Sequence, residues 1–368
     1  MSAGSGALSA EDGAQASPAA NAFAGAPATT RDEAVSRRAM PPGYARLTAA
    51  ILNDARDWPF LWVSLSRSVV IATAIALFAL RSFPWWMAAV HLALVLGLAD
   101  RFILMLHNTS HRPPCSRRFR ALNHFIPWIL GPFYGESPQS YFVHHVGMHH
   151  PENNMEADLS STIRYQRDSV FAFLHYFFRF LFFGIFELAA YLHKRGRRAL
   201  LRKLLVGELS YYAVVAALAA YSWQATLVVF VAPLLIVRFL MMAGNWGQHA
   251  FVDPVDPGNS YKNSLTCIDS RYNWRCFNDG YHIGHHLKAT MHWSELPGEL
   301  AKNRDDYAAN GSLVLSGTDF FMVWAMLMTK QHNRIAAHHV HVGSGPKPTR
   351  SEVTALLHAR LRPVQVRA

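Results

Sequence analysis

Cysteine is scarce in this 368-residue chain: Cys115, Cys267 and Cys276 are the only three, and no two form a C-x-x-C pair. That odd count excludes a disulfide framework, and without a cysteine cluster the chain cannot hold a ferredoxin-type centre. Acidic residues are also few, 24 Asp+Glu against 35 Lys+Arg, giving a net charge of +11. No Glu-x-x-His occurs, which excludes the carboxylate-rich di-metal helix bundle. Residues 1 to about 45 are rich in Ala, Ser, Gly and Pro without an apolar core, so a secretory signal is not expected and a disordered tail is. Glu11, Asp12, Asp32 and Glu33 argue against a transit peptide. A second tail, basic and poorly periodic, is expected over 331–368, with His338, His339 and His341 outside any site.

The hydrophobic share is 51%, and it is concentrated in runs near the roughly 20 residues that a bilayer-spanning helix needs. Four spans are predicted, over 61–80, 85–106, 205–221 and 225–243. Short turns at Arg81–Pro84 and Ser222–Gln224 make them two helical hairpins. The basic stretches Arg112–Arg120 and Lys194–Lys203 flank these runs, so the excess charge reads as membrane-surface attraction and not as nucleic-acid binding. Placing both stretches in the cytoplasm puts both termini there as well. The segment 170–192 is apolar but carries His175, Arg179 and Glu187, and it is read as an interfacial helix. A shorter apolar stretch, His124–Gly135, is read as a surface or re-entrant element. The expected fold is all-α and integral to the membrane, with a main domain over 46–330 and a cytoplasmic helical cap holding the site.

Nine histidines carry the chemistry. His107 and His111 end the second span; His145, His149 and His150 lie in the following loop; His249 follows the fourth span; His282, His285 and His286 come last. Spacings of three and four place side chains on one helical face. Neutral imidazoles in such number at one depth point to transition metal, and nine exceed what one ion accepts, so two ions are implied. Ligand type leaves iron, copper and zinc open. Asp158 and Asp279 are candidates to orient a ligand imidazole. Neither is separable by sequence from a surface acid.

The pattern His107-x-x-x-His111, His145-x-x-x-His149-His150 and His282-x-x-His285-His286 resembles the histidine boxes of the membrane-bound fatty acid desaturase superfamily, over roughly residues 60–300. Asn245-x-x-x-His249 is similar to the additional ligand element of the stearoyl-CoA desaturases. The last box begins with His282 and not Gln, unlike the front-end enzymes, and Asn278-Asp279-Gly280 stands where acyl-CoA enzymes commonly have Gly-Glu-Gly. The resemblance implies two irons held by all nine histidines, a metal-bound water held by Asn245, dioxygen as co-substrate, and an acyl lipid as the molecule desaturated. Hydroxylation on the same scaffold is the alternative outcome. A non-enzymatic zinc or haem protein of the membrane is the alternative from another class. No His-Pro-Gly-Gly haem motif is present, so electrons are expected from a separate ferredoxin or cytochrome b5 with its reductase, drawn to the basic loops.

Overall fold

The structure, a computed structural model, describes residues 31–32, 40–80 and 83–365. Among them, five helices are long and apolar enough to cross a membrane: α1 (Ala55–Ala79), α2 (Trp85–His111), α3 (Val170–Lys194), α4 (Arg198–Tyr221) and α5 (Trp223–Gln248). Four match the predicted spans, the first ending one residue short of its prediction. Each overruns its span at one end or both, because hydropathy marks only the apolar part of a helix whose hydrogen bonding continues into polar ends. The turn joining α1 to α2 includes Arg81 and Ser82, which lie outside the described residues.

The segment expected at the interface is the unbroken helix α3. Its buried positions Phe173, Tyr176, Phe177, Gly184, Leu188 and Leu192 follow the i, i+3, i+4 spacing of one helical face. Phe171, Phe178, Phe182 and Phe186 form the exposed face. The stretch at 124–135 is helical, a π-turn at Phe125–Leu130 followed by a 3-10 turn at Gly131–Tyr134. The loop after it packs so closely on α4 that a Cβ at Gly207 would sit 1.8 Å from Pro138 O. No other residue fits there.

Beyond α5 the chain builds a cap. Strands β1 (Leu265–Ile268) and β2 (Leu313–Ser316) pair in parallel, with every residue buried. Around them stand α6 (His282–Leu287), α7 (Phe320–Met328), α8 (His332–Ala337) and α9 (Arg350–Arg360). The segment expected as a basic C-terminal tail is therefore folded. Val353, Leu357 and Leu361 pack with Ile335, Ala336 and Leu327 in one core, and Thr349 with Glu352 forms a capping box at the start of α9. That periodicity spans too few residues to stand out among the surrounding charges. The buried Arg167 guanidinium ties this segment down by donating to Arg360 O and Arg362 O, both at 2.6 Å, and to Ala250 O at 2.8 Å.

The expected N-terminal tail lies mostly outside the described residues. Where it overlaps them, it is not a free tail. Asp32 is fully buried and accepts hydrogen bonds from Asn273 Nδ2 at 2.9 Å, Trp274 Nε1 at 2.7 Å and Tyr281 Oη at 2.9 Å. Arg31 stacks 4.0 Å over the Trp274 ring.

Candidate metal centre

All nine histidines named from the sequence converge, and they do so as two groups. His107, His111, His145, His150 and His285 form one; His149, His249, His282 and His286 form the other. Within each group, one nitrogen per ring lies within 4.8 Å of every other. The two groups abut: the His149 and His150 rings are 5.7 Å apart, and those of His150 and His286 are 4.8 Å apart.

Local backbone decides which ring joins which group. His107 and His111 are one α-turn apart at the end of α2 and share a group. On α6 the same spacing pairs His282 with His286 and turns His285 to the other side. The second box behaves differently. His145–His149 is a π-turn, whose i→i+5 bonding aligns residues five apart. His145 and His150 therefore share the first group, with Nε2 atoms 3.1 Å apart, and His149 is left to the second. Asn153 and Asn154 follow in the left-handed region, at φ of 48° and 57°, and turn the chain back toward Asp158.

Both carboxylates suggested by the sequence stand behind rings. Asp158 Oδ2 is 2.6 Å from His149 Nδ1, and Asp279 Oδ1 is 2.9 Å from His107 Nδ1. Each carboxylate is itself held. Asp158 accepts from Ser160 N at 2.8 Å, Ser160 Oγ at 2.7 Å and Asn154 N at 3.0 Å. Asp279 accepts from Tyr272 Oη at 2.6 Å. Burial alone would raise the Asp158 carboxyl, but His149 and the Ser160 hydroxyl outweigh it and bring it down to about 2. The turn that delivers Asp279 has Phe277 and Asn278 at φ of 55° and 54°, and Gly280, where a Cβ would meet Cys267 O at 2.3 Å. The residues Asn278-Asp279-Gly280 are thus set by backbone geometry as much as by chemistry.

A third ring partner was not legible in the sequence: His249 Nδ1 lies 3.0 Å from both Asn263 O and Asn263 Oδ1. With Nδ1–H occupied on His107, His149 and His249, each presents an Nε2 lone pair to its group, the form that ligates metal. Burial, reinforced by neighbouring imidazoles, pushes His145, His282, His285 and His286 well below the ordinary histidine range, so these rings stay neutral. His249 is pushed down to about 4, chiefly by burial.

Do these residues fit metal better than a packed polar core? Nine rings turn nitrogens toward one another, and the buried His111 Nε2 has no hydrogen-bond partner. At about 1–3 kcal/mol for each buried group left unsatisfied, such a set would rival the roughly 5–15 kcal/mol net stability of a folded domain. An ion in each group removes that cost. The nitrogen-only donor set suits a borderline transition ion and not calcium or magnesium.

Asn245 lies one turn before His249, and its Nδ2 donates to Ser160 O at 3.0 Å and to Tyr176 Oη at 2.8 Å. A cavity of about 380 Å³ runs along it, reached by His107, His145, His149 and His282 and walled by Ile103, Val237, Leu240, Met241, Ile185 and Phe320 among others. The sequence reading missed Tyr176, Ser160 and Asn263, whose roles depend on long-range contact. It also missed Glu136 and Arg238 in the same cavity, although for Arg238 a charge inside a predicted span was a usable signal.

No curated protein and no solved structure matches the chain. The family model "Fatty acid desaturase" matches residues 84–318, more than half of the chain and every residue of both histidine groups. On that match, supported by two histidine clusters that fit a metal site beside membrane-span-like helices, the chain belongs to the fatty acid desaturase family.

Proposed function

We propose that the protein is a di-iron, dioxygen-dependent desaturase that forms a C=C bond in the acyl chain of a lipid. The observation that carries this reading is the pairing of five-ring and four-ring histidine groups at the wall of one largely apolar cavity. Iron bound there supplies the activation of dioxygen needed to take hydrogen from an unactivated C–H bond. His107, His111, His145, His150 and His285 hold one ion, and His149, His249, His282 and His286 the other. Asp158, Asp279 and Asn263 keep three rings in the ligating tautomer. Asn245, fixed by Ser160 and Tyr176, offers its remaining amide oxygen to a water beside the four-ring group. The apolar walls hold the chain and exclude bulk water, so the position of the attacked carbon follows from how far the chain inserts.

The site geometry supports four spans, with α3 at the membrane surface. His111 at the end of α2 and His249 just beyond α5 belong to the two abutting histidine groups, so the ends of α2 and α5 share one side. If α4 and α5 each cross, α3, which lies between α2 and α4, does not. Its exposed phenylalanines then face acyl chains. The basic loops favour a cytoplasmic setting for this side, with a separate ferredoxin or cytochrome b5 as the electron donor.

The test is lipid profiling of a host that expresses the chain with a matching reductase, His149→Ala serving as control, alongside metal analysis of the purified protein. Expected are new lipids two hydrogens lighter in the wild type only, and about two irons per chain. A gain of one oxygen would make the enzyme a hydroxylase. One zinc or one haem per chain, or equal product from the variant, would remove the reading.

A further inference from the structure

Two helical turns along α5 from Asn245, about 10 Å by helical rise, the same cavity meets charge. Arg238 and Glu136 both line it, and both are buried, as is the neighbouring Glu208. Glu208 hydrogen-bonds the Ser137 hydroxyl. Arg238 Nη2 reaches the same hydroxyl at 3.4 Å, and among the described residues no carboxylate comes within ion-pair distance of the guanidinium. Glu136 Oε1 is buried without a hydrogen-bond partner. A guanidinium has five N–H donors, more than the Ser137 and Tyr212 hydroxyls take up, so donors and an unpaired carboxyl oxygen face a space whose other walls are largely hydrocarbon. Ionisable groups at membrane depth mark function more often than packing.

We infer that this end of the cavity recognises a neutral oxygen group, a hydroxyl or a carbonyl, carried on the lipid chain beyond the carbon that reacts. The inference rests on the lipid-substrate reading above. Neutrality follows from the count of charges: one guanidinium stands near two buried carboxyls, and a further anion would add a third acid around it. The unpaired Glu136 oxygen supplies an acceptor and the Arg238 guanidinium supplies donors, the pair that a hydroxyl or carbonyl can meet. A plain saturated chain leaves all of these groups unmatched, and polar groups left unpaired are what make a site reject the analogue lacking the oxygen.

The test is competitive binding to the purified full-length protein in lipid nanodiscs, displacing a fluorescent fatty-acyl probe. The competitors are methyl hexadecanoate, methyl 16-hydroxyhexadecanoate and monomethyl hexadecanedioate. The wild type is expected to prefer the hydroxy ester over the plain ester by at least about tenfold. Arg238→Met and Glu136→Leu each abolish that preference, and Glu136→Gln, which keeps a neutral donor and acceptor, retains it. If Arg238→Met does not fold, the two Glu136 variants decide. Equal binding of hydroxy and plain esters by the wild type, tightest binding of the carboxylate ester, or a preference that survives both apolar substitutions overturns the inference. Binding needs no turnover. An intact preference in a protein without iron would defeat the desaturase reading alone, and desaturation without the preference would defeat this inference alone.

Discussion

The two histidine groups use the same ring and nearly the same backing, yet they differ in number and surroundings. The five-ring group draws on α2, the π-turn and α6. The four-ring group takes one ring from the π-turn, two from α6 and His249 from the end of α5, and it has Asn245 one turn away, while the cavity reaches two rings of each group. Five imidazoles come close to filling an ion's coordination, whereas four leave room for a further ligand, and Asn245 stands beside that group. A metal site that does chemistry keeps such a position open. On the proposed reading, the five-ring group would hold the more structural ion and the four-ring group, with Asn245 beside it, the more reactive one.

That asymmetry can be broken by removing one ring from each side. His249→Ala reduces the second group to three nitrogens, and this variant is expected to purify with about one iron per chain and to lose activity by roughly 100-fold or more. His111→Ala leaves four nitrogens in the first group and is expected to keep nearly two irons. Parallel metal analysis and lipid profiling check both, and equal loss from the two variants would erase the distinction. The next largest effect is expected at the carboxylates. Asp158→Asn and Asp279→Asn, which free His149 and His107 from their charged partners, should each weaken iron retention against a chelator by about 10- to 100-fold. Asn245→Ala should leave iron content unchanged and slow turnover by roughly tenfold, the scale of one hydrogen bond; unaltered kinetics would show that Asn245 only supports α3. Smallest is Asp32→Ala. It orphans the donors of Asn273, Trp274 and Tyr281 and is expected to cost about 1–3 kcal/mol of stability, read as a lower unfolding temperature with both irons still bound.

The ligand rings were legible because box spacing is local: each group of histidines lies within a turn or two of helix. Their partition was not, since a π-turn at His145–His149 is invisible to a rule built on spacings of three and four, and it alone sends His149 away from His145 and His150. Asp158 and Asp279 were legible as candidates only, because a carboxylate gains meaning from the ring it faces across the fold. Asn263, 14 residues beyond His249, had no local signature. The apolar runs revealed the long helices but not their ends. The C-terminal segment was misread because Val353, Leu357 and Leu361 form a stripe too short to stand out against charge. Asp32 was overlooked for the opposite reason, a single buried carboxylate in a segment of loop-forming composition. Arg238 and Glu208, each inside an apolar run, were signals the sequence did contain.

The central claim is that two irons sit side by side, one within each histidine group. Anomalous scattering at the iron edge from crystals of the purified protein tests it most directly. Two iron peaks are predicted, one enclosed by His107, His111, His145, His150 and His285 and the other by His149, His249, His282 and His286. A single peak, or peaks only at the zinc edge, would contradict the account.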